Sequence, residues 1–264
     1  MDIISTKFSL TNPDGFIIRG YELHSENSSG KLPAVIISHG FTSSIEETTP
    51  YGNIIAAEGY RAFVYDFCGG GFNSLSEGSF EDYMTTLTEK GDLESVLEYV
   101  RSRDDVDTDQ IAIMGCSQGG FVSTLAAPEV SDKIKALMLI YPALCIPDDA
   151  RRGSMQVLNF DPQNIPDHVG TSPMRICRDY IKTVLDIDIY DVLKKYHKSV
   201  FIIHGTSDKI VPVEYAQKAF SVLQDNGNDV EMHLIENGPH GFFDKYFAEA
   251  ANHIIAYLNK VFTR

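Results

Sequence analysis

A succession of short apolar runs, each followed by a stretch of helical character, constrains this chain more than any other feature. The runs are Ala34–Ser38, Arg61–Tyr65, Ile111–Met114, Lys135–Ile140, Val200–Ile203 and Val230–Ile235. A strand with one wet face alternates apolar and polar residues. Continuous runs of this length instead describe strands covered on both faces. Helical stretches lie between or beyond them, at Ile54–Glu58, Tyr83–Arg103, Phe121–Ala127, Tyr215–Leu223 and Phe243–Phe262. In the second of these, Leu93, Val96, Leu97 and Val100 recur at spacings of three and four, which puts them on one helix face. Strands alternating with helices require crossover connections. The expected class is therefore α/β, with a mostly parallel sheet and helices on both faces. Ahead of it, Ile3–Leu10 and Phe16–Leu23 read as two strands, and Asn12-Pro-Asp-Gly15 supplies the turn of an antiparallel hairpin.

One segment breaks the alternation. Residues 142–190 contain Pro142, Pro147, Pro162, Pro166 and Pro173 and carry no regular period apart from a helix near Ile176–Leu185. The segment is too long to be a connecting loop in a compact domain, and insertions of this length are most often functional. The expected organisation is a core formed by residues 1–141 and 191–264, with 142–190 as an inserted lid. The alternative is an insertion that never touches substrate.

Charge and cysteine content narrow the partners. A net charge of −15 disfavours nucleic acid and anionic membrane surfaces. The four cysteines, Cys68, Cys116, Cys145 and Cys177, form neither a CxxC pair nor a cluster with zinc spacing, so no metal is expected. The opening MDIISTKFSL lacks a basic region leading into an apolar run, and no stretch has the ~18 apolar residues of a membrane span. A cytoplasmic protein with free thiols is the expectation.

Gly115-Cys-Ser-Gln-Gly119 fits G-x-S-x-G, with an apolar run before it and a helix after it. In that context the serine sits on a sharp strand-to-helix turn, and the glycines let the two elements approach. The plain alternative, a helix-capping serine, fits the doubled Gly119-Gly120 poorly. A serine hydroxyl needs an adjacent base, and the base needs an orienting acid. In this kind of sheet the order is serine, acid, histidine. Asp208 follows the run at Val200–Ile203, and His240 follows the run at Val230–Ile235. Both therefore fall at carboxyl ends of strands. Glu236 and Asp244 are the competing acids. His24, His168, His197, His233 and His253 read as surface or packing residues, and His204 as a core histidine. His39-Gly-Phe41 follows the first parallel strand. Main-chain N–H groups of Phe41 and Gln118 are the expected oxyanion donors, with His39 fixing their loop. Gly69-Gly-Gly71 lacks phosphate-binding spacing and reads as a turn. The acidic stretch Asp104–Asp109 lacks a calcium-loop pattern and reads as a solvated turn.

The runs Ser38-His-Gly-Phe-Thr42, Tyr65-Asp-Phe-Cys-Gly69, the Gly115–Gly119 elbow and His204-Gly-Thr-Ser-Asp208 resemble those of bacterial cinnamoyl (feruloyl) esterases. The likeness extends over essentially the whole chain, and Phe160-Asp-Pro-Gln-Asn-Ile-Pro166 and Asp188-Ile-Tyr190 look like that family's lid and its exit. The resemblance implies an α/β-hydrolase fold with an inserted lid, no cofactor and a small-molecule ester as partner, with a homodimer left open. It also implies that Asp149, Gln156 and Tyr180 contact the ring hydroxyls of a hydroxycinnamoyl group. There are two departures. Cys116 stands where the family usually has histidine, and Arg151–Met155 is unlike the family's stretch. A general carboxylesterase or thioesterase, a serine peptidase of the oligopeptidase type and a non-catalytic binding protein on the same scaffold are the alternatives. The peptidase lacks support from any large extra domain.

Overall fold

The computed structural model describes residues 2–262, so Met1, Thr263 and Arg264, the outer limits of the expected core, lie outside the described residues. The chain runs β1 (Ile3–Thr11), β2 (Ile17–Ser25), β3 (Leu32–Ser38), α1 (Ile45–Ala57), β4 (Arg61–Asp66), α2 (Thr86–Arg101), β5 (Val106–Cys116), α3 (Gln118–Ala126) and β6 (Ala136–Ile140). A long excursion follows, containing α4 (Ile146–Arg152), β7 (Ser154–Met155), β8 (Leu158–Asn159), β9 (His168–Thr171), β10 (Met174–Cys177), α5 (Arg178–Leu185) and α6 (Ile189–Leu193). The core then resumes with β11 (Ser199–Gly205), α7 (Val213–Asp225), β12 (Val230–Ile235) and α8 (Asp244–Val261).

Eight of the described strands form one sheet in the order β1-β2-β4-β3-β5-β6-β11-β12. β2 is antiparallel to both β1 and β4, and every later pairing is parallel. Within β3, Ala34 and Ile36 join the apolar cluster on one face, while Val35 and Ile37 join the cluster on the other. This two-sided burial is why the central runs show no polar alternation. α2, α3, α7 and the excursion contribute to the first cluster, and α1 and α8 to the second. Burying each large aliphatic side chain contributes roughly 1.5–3 kcal/mol, so both layers are needed to hold the sheet.

Local signals explain the element ends. Thr85 caps α2 through a reciprocal pair of hydrogen bonds with Thr88, and Leu93, Val96, Leu97 and Val100 are all buried as their spacing required. α1 begins nine residues earlier than expected, because Ser44 caps its N-terminus and Pro50 is carried inside it on the exposed side. The excursion is also more ordered than its sequence suggested, with two small hairpins pairing β7 with β8 and β9 with β10. Asp107 and Asp109 are a further correction, since they lie within β5, while Asp105 pairs with Arg61 and Arg103. All four cysteines are buried and unpaired. Among the described residues, no helix is long and apolar enough to cross a membrane.

Candidate active site

β5 delivers Ser117 to the carboxyl edge of the sheet, and α3 starts at the next residue. Ser117 adopts φ 52°, ψ −117°, a conformation that costs a non-glycine residue about 1–3 kcal/mol. Its surroundings hold it there: its N–H donates to Ile140 O at 3.0 Å, and its C=O accepts from Ala143 N–H at 2.9 Å. The glycines of the elbow are steric necessities. A Cβ on Gly115 would lie 2.1 Å from Gly119 O, and one on Gly119 would lie 2.5 Å from the carbonyl oxygens of Ser38 and His39.

Three loops at this edge converge. His240 Nε2 lies 2.9 Å from Ser117 Oγ, and His240 Nδ1 lies 2.7 Å from Asp208 Oδ2. Asp208 is thus the carboxylate that meets His240. It can only accept, so the ring carries its proton on Nδ1 and turns the Nε2 lone pair to the serine hydroxyl. The Asp208 side chain is fully buried, and its Oδ1 accepts from the N–H groups of Ile210 and Val211, each at 2.9 Å. Burial alone would raise its pKa. The Nε2–H of His204 beside it, the hydrogen bond and charge of His240 and the Val211 N–H overcome that and hold the carboxyl well below the usual range. Tyr141, which no motif singled out, sets its ring edge-on to His240 with centroids 5.0 Å apart. The available signal was its place one residue beyond β6.

The loop after β3 is pinned by His39, which is fully buried. Its Nε2 accepts from Phe67 N–H at 3.1 Å and its Nδ1 donates to Gly40 O at 2.8 Å, a neutral ring used on both sides. Gly40 N–H donates to Glu47 Oε2 at 2.8 Å. Phe41 and Gln118 then border a cavity of about 440 Å³ together with Ser117.

Asp149, Gln156 and Tyr180 border the same cavity, so residues from Phe41 to Tyr180 of the chain are gathered around one space with Ser117. Asp149 and Tyr180 also pair elsewhere. Asp149 pairs with Arg152; burial raises its carboxyl, against the Cys145 thiol and the Arg152 charge. Gln156 is exposed at the turn between β7 and β8, at φ 52°. The Tyr180 hydroxyl donates to Gln118 Oε1. Gln118 Nε2 donates in turn to Glu89 Oε2 at 2.8 Å. Glu89 is fully buried, and burial, opposed by the Gln118 bond and reinforced by Asp92, pushes its carboxyl well above the usual range. Glu89 was not picked out in the sequence, although it lies four residues before Leu93 on the buried face of α2.

A sequence model of the prolyl oligopeptidase family matches residues 52–264. A Bacillus subtilis protein named for esterase activity, YitV, is 23% identical over 203 residues, which are 75% of this chain and 77% of that protein. The hydrolase LUC6 of a Fusarium species is 30% identical over 115 residues, 42% of this chain but 26% of its own length, so the chain matches about a quarter of that relative. Among solved structures, Est1E of Butyrivibrio proteoclasticus with ferulic acid bound has a TM-score of 0.88 at 29% identity, covering 96% of this chain and 98% of that one. An acetyl xylan esterase from a Paenibacillus species shares the fold, with a TM-score of 0.72 at 18% identity over 98% of this chain and 84% of its own.

Proposed function

The chain belongs to the prolyl oligopeptidase family of α/β hydrolases, and on that premise we propose that it is a serine esterase that cleaves hydroxycinnamate esters through an acyl-enzyme. Ser117 attacks the ester carbonyl as His240 Nε2 takes the hydroxyl proton. Asp208 keeps the imidazole in its Nδ1–H form and stabilises the imidazolium. Main-chain N–H groups of Phe41 and Gln118 receive the developing oxyanion. His240 then protonates the departing alcohol, and water, deprotonated by the same ring, releases the acid.

One observation carries the aromatic assignment. The cavity beside Ser117 is apolar along Ile146, Met155, Leu158 and Ile176, yet Asp149, Gln156 and Tyr180 border it as well. An apolar space with a few polar groups suits a planar ring bearing hydroxyls, since a buried phenol must find hydrogen-bond partners. Residues 142–190 act as the lid over this ring. The likeness to a structure holding ferulic acid supports the same substrate class.

The test is kcat/KM for methyl ferulate against methyl butyrate, which share a leaving group. A preference of ~100-fold for ferulate, about 2.7 kcal/mol of differential transition-state binding, is expected. Equal or reversed values would leave an esterase of different acyl preference. The family's own name supports a second reading, a proline-directed peptidase. Faster turnover of a prolyl anilide than of methyl ferulate would favour it.

A further inference from the structure

We propose that His204 is a positioning residue for the acid–base pair, a second histidine whose Nε2–H lies against Asp208 and thereby sets the basicity of His240. The inference rests on reading Asp208 and His240 as acid and base. His204 lies in β11, four residues before Asp208, and is fully buried. Its Nε2 lies 3.1 Å from Asp208 Oδ2, the same oxygen that meets His240, and 3.0 Å from Val211 O. Both neighbours can only accept, so Nε2 carries the proton; its N–H hydrogen-bonds to Val211 O, and the Asp208 carboxylate lies beside that N–H within contact distance. Nδ1 is buried and has no partner among the described residues. A second proton there would be a buried donor with nothing to meet.

Asp208 therefore accepts three hydrogen bonds and has the His204 N–H as a fourth polar neighbour. Ile210 and Val211 N–H groups meet Oδ1, and the two histidines meet Oδ2. Each donor stabilises the carboxylate and lowers its basicity. Backbone donors are fixed by the loop, which leaves His204, among the described residues, as the side chain besides His240 that approaches the same oxygen. Withdrawing that donor concentrates negative charge on Oδ2, favours the imidazolium of His240 and depletes the free base at neutral pH. The other groups facing this pair are the Tyr141 ring against His240, Glu47 beyond the Tyr141 hydroxyl, and Lys209 beside Asp208 in the chain. None of them contacts Asp208 Oδ2 among the described hydrogen bonds, so they do not substitute for His204.

The experiment compares the acid limb of kcat/KM for p-nitrophenyl butyrate in the wild type, His204→Phe and His204→Gln. Phenylalanine keeps the ring volume and removes the donor. Glutamine carries an N–H near the Nε2 position. The limb should move to higher pH by about half a unit or more in His204→Phe and return toward the wild-type value in His204→Gln. An unmoved limb in an active, folded His204→Phe protein, or an equal shift in both variants, would overturn the proposal. Should His204→Phe fail to fold, ¹⁵N-histidine spectra of the unmodified protein decide. His204 should carry its proton on Nε2, and its Nε2–H resonance should move as His240 titrates. An Nδ1–H tautomer, or an unmoved Nε2–H resonance, would overturn it. Failure of the underlying reading looks different, because His240→Asn would then keep its activity.

Discussion

The hydroxyl of Tyr180 donates to the side-chain oxygen of Gln118, the residue that follows the elbow serine. One side chain from the excursion between β6 and β11 thus holds a residue that borders the cavity beside Ser117. Tyr180→Phe would leave Gln118 Oε1 buried and without its donor, at a cost of about 1–3 kcal/mol of stability. Activity on methyl butyrate should fall by a factor similar to that on methyl ferulate, because the loss acts through Gln118 and not only through the ring. Urea denaturation and paired steady-state kinetics check both parts. A loss confined to ferulate would mean that Tyr180 serves the aromatic ring alone.

Ser117→Ala removes the proposed nucleophile while the backbone at this position stays anchored to Ile140 and Ala143. kcat should fall on the order of 10⁵–10⁶-fold, and alanine should fit a site that already accommodates a Cβ. Circular dichroism melting alongside ester hydrolysis measures the two independently. Most of the activity surviving in a purified sample would remove Ser117 from its role.

Gly119→Ala would put a methyl group 2.5 Å from two backbone oxygens at the end of β3. No flexible side chain is there to yield, so the start of α3 must move. The expected cost is on the order of 3 kcal/mol, with loss of most labelling by a fluorophosphonate probe. Denaturant midpoints and labelling rates report the two effects. Wild-type values of both would show the elbow to be looser than its packing implies.

Glu89→Gln addresses a buried acid. In the unfolded chain this carboxyl has an ordinary value of 4.5, and in the folded protein burial raises it well above that. Folding therefore takes up a proton. The stability this group contributes is complete below about pH 4.5 and declines as pH rises toward the folded value. Glutamine can present its oxygen to Gln118 Nε2 in place of Oε2, and it does not titrate. The variant should lose stability less steeply than the wild type between pH 5 and 8, measured by urea titration at several pH values. Parallel pH profiles would mean that Glu89 is already ionised in the fold.

The sequence was most informative where physics leaves one solution. Two-faced burial leaves a strand such as β3 no polar residues to show, and the carboxyl ends of β5, β11 and β12 are where Ser117, Asp208 and His240 fall. It was least informative where a local rule is overridden. Pro50 argues for a helix start, yet the Ser44 cap and buried Ile45, Thr48 and Tyr51 carry α1 through it. β7 and β8 have two residues each, too few for any period to register. Glu89 falls on an apolar stripe, and a charged letter there reads as an interruption until its Gln118 partner is seen. His204 reads as core packing, because the spacing to Asp208 does not reveal which ring nitrogen faces the carboxylate.

Ser117, His240 and Asp208 hang from strand ends of the sheet, whereas Asp149, Gln156 and Tyr180 all belong to one unbroken stretch between β6 and β11. Such an arrangement separates two heritable properties. On the proposed reading, a single crossover pair flanking that stretch could exchange what the protein recognises while the bond-breaking apparatus passes to descendants intact. The Tyr180–Gln118 bond sets the limit on that freedom: a transplanted stretch must bring its own hydroxyl for Gln118, or arrive with a compensating change at the elbow.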